Sequence, residues 1–366
     1  MLKNVSWRHF DFWLLGAVVL AIAFGIAMID SAVAGNAELA DYPNRQTIFA
    51  TLGLAVILLV ASIDYNYWLA LYRPIYLVMM VLLIFLFMSA HAVFGAARWF
   101  RLGALFIQPT ELAKLVVILI LARYFRQTDN EPRDLRWIIG SLLWMMGLTI
   151  WILLQPNLSN VIVIIVIWGI MTWMNGLRIK HLGSFALGGI ALVVLGFPFL
   201  QEYQRQRVLT FIFPDPNATY GETYNIQQAL IAIGSGGLDG KGYGQGSQVQ
   251  LRFLKVRHTD FIFSAISEEF GFIGALIVIA TLAFILWRCI RAAQLSRDTA
   301  GSSIAFGVAA LIFFQGAVNI AVNLNIIPVS GLPLPFISYG GSGLVSLMLG
   351  IGLVESVVMR HKAMEF

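Results

Sequence analysis

The chain has 366 residues, of which 59% are hydrophobic and only 12% charged. Water-soluble domains carry about 25% charged residues, so a soluble fold is excluded. The single cysteine, Cys289, rules out an internal disulfide and a multi-cysteine zinc or iron–sulfur site, and reads as a small buried apolar side chain.

In chain order, apolar runs predict ten membrane-spanning helices, near 12–31, 47–63, 75–93, 109–125, 137–154, 160–175, 182–200, 262–287, 303–326 and 341–358. The first follows Lys3 and Arg8 and is long enough to stay in the membrane as an anchor rather than be cleaved. With the N-terminus inside, fourteen lysines and arginines fall in cytoplasmic segments, against Arg45, Arg98 and Arg101 in the short outer loops. The long segment 201–261 is set aside, because long translocated loops escape this rule. Both ends are thus expected in the cytoplasm, and the net charge of +5 needs no nucleic-acid partner. The expected fold class is an all-α polytopic integral membrane protein with a large extracytoplasmic loop between helices 7 and 8, forming one domain over 1–366.

That loop, 201–261, contains "IGSGGLDGKGYGQG" at 233–246. A nucleotide-binding P-loop needs Gly-Lys-Ser/Thr at a helix start. Here Lys241 is followed by Gly242 and Tyr243, and the loop faces away from ATP, so a nucleotide site is not expected.

Charged residues inside apolar spans are costly and mark function or a partner. Glu111 and Lys114, three apart in "QPTELAKLVVILILARYF", share one helix face near the outer surface. They are either a structural ion pair or a lysine facing an anionic ligand, held by the glutamate. Glu268 and Glu269 lie inside the eighth span. Asp260 and Glu268 are eight apart, which predicts one face with an aspartate at the mouth and a glutamate deeper. Glu355, near the inner end of the last span, reads as packing or interfacial. In "FGAARWF" at 94–100, Trp99 is an interfacial aromatic or a ligand contact, and Arg98 beside it suits a phosphate. The uncharged "SGLPLPFISYGGSG" at 330–343 reads as a re-entrant or tightly packed outer loop. His258 shares no ligand spacing with the other histidines, so no zinc site is expected.

These features gather on one surface. Arg98, Lys114, Arg207 and Arg257 beside an apolar groove suit a lipid-linked phosphate or diphosphate. A carboxylate beside them, Asp260, suits proton abstraction from a hydroxyl.

At these residues the chain resembles the SEDS family (shape, elongation, division, sporulation), membrane glycosyltransferases that polymerise peptidoglycan. The resemblance covers nearly the whole chain. It rests on "GAARWF" at 95–100, "QPTELAK" at 108–114, "QPNLSN" at 155–160, "YNIQQALIAIGSGGLDGKG" at 224–242, "HTDFIFSAISEEFGFIG" at 258–274 and "GLPLPFISYGGSG" at 331–343. The 224–242 block and the short termini look more like the elongation type (RodA-like) than the division type. The resemblance implies a lipid II-dependent, inverting polymerase that forms β-1,4 glycan strands for cell-wall elongation and cell shape. It makes Asp260 the catalytic residue, and Trp99, Glu111, Lys114 and Arg207 functional positions. Arg98 and Arg257 join them as expected contacts to the diphosphate of lipid II. Arg257 is expected to keep Asp260 ionised, with Thr259 and His258 orienting it. Implied partners are lipid II, the nascent glycan strand, membrane lipids and a class B penicillin-binding protein acting as transpeptidase. No cofactor is firmly implied; a divalent cation could assist, but the sequence shows no dedicated cage. The implied location is the bacterial inner (cytoplasmic) membrane, with the active site on the outer face. Two departures stand out: Asn157 replaces the usual aspartate, and Leu254-Lys255-Val256-Arg257 is more basic than the usual Leu-Pro-Glu. A lipid II flippase and a non-catalytic scaffold that activates the transpeptidase are the competing readings.

Overall fold

The computed structural model describes residues 7–93, 99–102, 105–178, 181, 183, 188–189, 196–215, 218 and 220–361. Its helices are α1 (Phe12–Val33), α2 (Tyr42–Ser62), α3 (Tyr65–Ala70), α4 (Tyr72–Val93), α5 (Pro109–Gln127), α6 (Leu135–Leu154), α7 (Leu158–Met174), α8 (Glu202–Ile212), α9 (Gly221–Ser235), α10 (Ser247–Gln250), α11 (Ile262–Leu295), α12 (Thr299–Asn323) and α13 (Gly341–Val358). Among the described residues the one departure from an all-α fold is a small hairpin, β1 (Phe100–Leu102) paired antiparallel with β2 (Leu105–Ile107).

Among the described residues, seven helices are long and apolar enough to cross a membrane: α1, α2, α4, α6, α11, α12 and α13; α7 is a shorter apolar helix. Helix α5 carries Glu111, Lys114, Arg123 and Arg126, yet nearly every residue from Pro109 to Ala122 is buried. A helix enclosed on all sides is a core element, and α5 packs against α4, α6, α7, α12 and α13. Nine of the ten predicted spans therefore fall on observed helices. The tenth, 182–200, lies mostly outside the described residues.

Helix α11 is broken at Gly271, where φ is +66°. That left-handed geometry suits glycine alone, and a Cβ there would overlap Leu238 O and Gly240 N. The segment 236–246 lies across the break, backbone against backbone. Phe272 N donates to Gly237 O (2.9 Å) and Ile273 N to Leu238 O (3.2 Å). In return Lys241 N donates to Glu268 O (3.0 Å) and Gly242 N to Glu269 O (2.9 Å). The glycine-rich loop thus satisfies the polar groups that the break frees, as irregular backbone inside an apolar bundle requires.

Asp260 sits at one end of the bundle, with the C-terminal ends of α1 and α12 and the N-terminal ends of α2, α5, α7 and α13. The opposite end is tied by ion pairs. Asp11 caps α1 through Leu14 N (3.1 Å) and pairs with Arg288 (2.7 Å to Nε). Arg360 donates to Ala61 O (3.0 Å) and Ser62 O (2.9 Å), closing α13 onto the end of α2.

Candidate active site

A cavity of about 560 Å³ opens at the Asp260 end. Its wall includes Trp99, Glu111, Asn157, Asn160, Tyr203, Arg207, Thr259, Asp260, the 327–333 stretch and Tyr339. They come from α5, α7, α8 and the loops before β1, α11 and α13, so only the folded bundle assembles the wall.

Asp260 is the last polar residue before α11, whose N-cap is Phe261. It is only partly exposed. Burial is the main influence on its carboxyl and pushes the pKa up to about 6; the Arg207 charge and the Thr259 hydroxyl pull it down, and Glu222 pushes it further up. Arg207 lies on α8, with Nε donating to Glu222 Oε1 on α9 (2.8 Å) and Nη1 to Val329 O (3.4 Å). Its neighbour one turn earlier, Tyr203, donates its hydroxyl to Pro156 O (2.5 Å). These bonds lay α8 over the cavity beside the α6–α7 turn.

Glu111 and Lys114 form a closed ion pair. Lys114 Nζ donates to both Glu111 oxygens (2.8 Å each) and to Asn160 Oδ1 (3.3 Å). Glu111 lines the cavity, whereas Lys114 is 1% exposed and lies behind it. Lys114, expected to face a ligand directly, does not line this cavity; it meets the wall through its bonds to Glu111 and Asn160. Trp99 is half-exposed and lines the cavity. Arg98 lies outside the described residues.

Arg257 also departs from expectation. Its side chain is buried away from the cavity, donating to Ala32 O at the end of α1 and to Leu254 O (3.2 Å). It pins the loop to α1, and the cation acting on Asp260 is Arg207. Burial and then Arg252 lower its own pKa. His258 does not bond Asp260; its ring meets Tyr42 (5.3 Å) and Tyr339 (6.1 Å) edge-on. Burial, and next the Arg257 charge, push the imidazole pKa down to about 4, so the ring is neutral at physiological pH.

The expected pairing of Asp260 with Glu268 does not occur. Asp260 precedes the helix, so helical spacing does not apply to it. Glu268 is fully buried under the glycine-rich segment. It accepts bonds from Lys241 Nζ (2.8 Å), Ser247 Oγ (3.2 Å), Gln248 N (2.9 Å) and Val249 N (3.2 Å). It anchors the start of α10 and is absent from the cavity wall.

The 331–343 loop is tightly packed, one of the two forms expected. Ser338 Oγ donates to Thr259 O (2.7 Å), Tyr339 N to His258 O (2.9 Å) and Gln46 Nε2 to Ser338 O (3.2 Å). Sequence reasoning missed Tyr203, Glu222 and Asn160 as parts of this neighbourhood. It also missed Asn319 and Asn323 of α12, which donate to Asp260 O at 3.1 and 2.9 Å. Two asparagines one turn apart in an apolar span were the available signal.

With the site described, the chain can be set beside known proteins. Residues 10–363 match the family model for the FtsW/RodA/SpoVE cell cycle proteins. The peptidoglycan glycosyltransferase MrdB of Escherichia coli K12 is 32% identical, the match covering 98% of this chain and 97% of that protein. A probable peptidoglycan glycosyltransferase FtsW of Geobacter metallireducens is also 32% identical, over 99% and 97%. Among solved structures, a chain of a peptidoglycan synthase complex that coordinates polymerization and crosslinking superposes with a TM-score of 0.82 at 29% identity, over 97% of this chain and 99% of that one. The rod shape determining protein RodA of Thermus thermophilus matches with a TM-score of 0.71 at 29% identity, over 96% and 97%. On this evidence, over almost its whole length, the chain belongs to the FtsW/RodA/SpoVE family.

Proposed function

We propose that this chain polymerises glycan strands from lipid II, with Asp260 as the general base. The enzyme is a peptidoglycan glycosyltransferase, as the names of its relatives indicate. The observation that carries the assignment of the base is the partly exposed carboxyl of Asp260 in the cavity wall, its pKa raised to about 6 beside Arg207. A base with a pKa just below the working pH is ionised yet still takes up a proton readily.

In this reading a polyprenyl diphosphate-linked glycan is the donor and lipid II the acceptor. Asp260 removes the proton from the acceptor 4-hydroxyl as that oxygen attacks the donor anomeric carbon. The bond to the diphosphate breaks with its electron pair, and the diphosphate leaves. One displacement inverts an α-linked donor into a β-1,4 product without a covalent intermediate. Arg207 steadies the charge on the leaving group, a role proposed for Arg98 as well from its residue type. Glu111, held by Lys114, and Trp99 shape the substrate cavity.

We further propose that the chain is a single membrane domain with both ends in the cytoplasm and the cavity on the outer face. The bias of lysine and arginine toward the other side supports this orientation. The match to a chain from a complex coordinating polymerization and crosslinking supports a class B transpeptidase partner. The RodA match supports a role in elongation.

The test is polymer formation from purified lipid II by detergent-purified protein with no other polymerase present. Asp260→Asn keeps shape but loses the base, and loss of a general base costs about 10²–10⁴-fold in rate. Near-normal polymer from the folded variant would overturn the assignment and favour the scaffold or flippase reading.

A further inference from the structure

Helix α12 carries an amide every turn along one face: Gln315, Asn319 and Asn323. All three are at most 1% exposed. A primary amide buried in an apolar bundle is costly unless its hydrogen bonds are made. Those of Asn323 are all made: Nδ2 donates to Asp260 O (2.9 Å) and Asn319 O (2.8 Å), and Oδ1 accepts from Ser264 N (3.1 Å) and Ser264 Oγ (2.6 Å). Asn319 Nδ2 donates to Asp260 O (3.1 Å) and Leu332 O (2.9 Å). Gln315, one turn deeper, finds no partner for either amide atom among the described residues.

Two features of these bonds are specific to Asp260. Both asparagines converge on its one carbonyl, although neither lines the cavity. Asn323 also does the work of an N-cap for α11. Phe261 at the N-cap has no side-chain hydrogen bond, and the free amide of Ser264 in the first turn is satisfied from the neighbouring helix instead. One side chain therefore holds the carbonyl of Asp260 and the start of the helix that follows it. Asn319 adds the 331–343 loop, another part of the cavity wall, through Leu332.

We propose that Asn319 and Asn323 are positioning residues: they hold the backbone of Asp260 from α12 and so set where its carboxylate stands in the cavity. This rests on Asp260 being the base. The aspartate side chain has two rotatable bonds, so the placement of its backbone largely decides the placement of its oxygens. A displacement of about 1 Å at a reacting group can cost ~10²-fold.

Steady-state polymerisation of lipid II by purified full-length protein tests this. Asn319→Ala, which leaves the helix cap intact, should lower kcat about tenfold to 10²-fold with KM little changed. Asn323→Ala should do the same with a larger loss of thermal stability. Gln315→Leu, on the same face but unbonded, should leave kcat and KM unchanged. The acidic limb of the pH–rate profile should move down in both asparagine variants as the released carboxyl gains water. A merely structural role would shrink the folded fraction and leave that limb in place. If Asn323→Ala fails to fold, Asn319→Ala decides. Wild-type kcat and an unmoved limb in folded Asn319→Ala, with Asp260→Asn inactive, would overturn the positioning role and spare the base. Active Asp260→Asn would overturn both.

Discussion

Asp260 and Glu268 stand eight residues apart in one motif, and their surroundings differ in kind. Glu268 is sealed under the glycine-rich segment with four donors on its two oxygens. Asp260 faces a cavity, with the Thr259 hydroxyl and the charge of Arg207 favouring its ionised form against the cost of burial. A carboxylate whose lone pairs are filled by the protein has a structural task. One left short of partners, with a raised pKa beside a cavity, has capacity for chemistry. Position in the motif does not distinguish the two; the hydrogen-bond inventory does.

Substitutions at these two sites should diverge, and the largest effect is expected at Asp260. Asp260→Glu keeps the charge but moves the oxygens by more than about 1 Å, so the rate should fall ~10²-fold in a folded protein. Polymerisation assays with purified enzyme check this, and a variant within a fewfold of wild type would remove the contrast. Glu268→Ala should act on folding instead. It leaves the buried amide of Val249 without an acceptor, at about 1–3 kcal/mol, removes the acceptor of the part-buried Gln248 amide, and strands Lys241. Thermal unfolding in detergent should show a clear loss of stability, with the remaining folded protein retaining wild-type kcat per active molecule.

A smaller effect sharpens the contrast from the other direction. The Asp260 pKa is raised on folding, from 3.8 to about 6, so its ionised form disfavours the native state. Below about pH 4 the group is protonated in both states and this cost is absent. Above about pH 6 the cost is present in full. Asp260→Asn should therefore raise the melting temperature at pH 7 and have almost no effect near pH 4. An equal shift at both values would show that burial of charge is not the cause.

Much of the fold was legible because hydrophobic runs report directly on helices that cross an apolar medium. The start of α2 was read late, at 47, because Tyr42-Pro43-Asn44-Arg45-Gln46 is polar, although Pro43 suits a first turn. At the site, four of the residues singled out from the sequence, Asp260, Glu111, Trp99 and Arg207, line one cavity. Partner choice was harder to read. Arg257 is three residues from Asp260 but reaches back to α1, and Arg207, 53 positions away, supplies the acting charge. The break at Gly271 and the asparagine contacts from α12 likewise depend on segments distant in sequence, which local periodicity does not encode.

The central claim is that Asp260 works as a base with a pKa set by burial and opposed by Arg207. The pH dependence of kcat/KM for lipid II polymerisation, in wild type and Arg207→Gln, tests it most directly. Wild type should lose activity on the acidic side with an apparent pKa about 6. Arg207→Gln removes the main charge that lowers this pKa, so its acidic limb should move to higher pH. A limb near the ordinary carboxylate value of about 4, or one that Arg207→Gln leaves in place, would contradict the account.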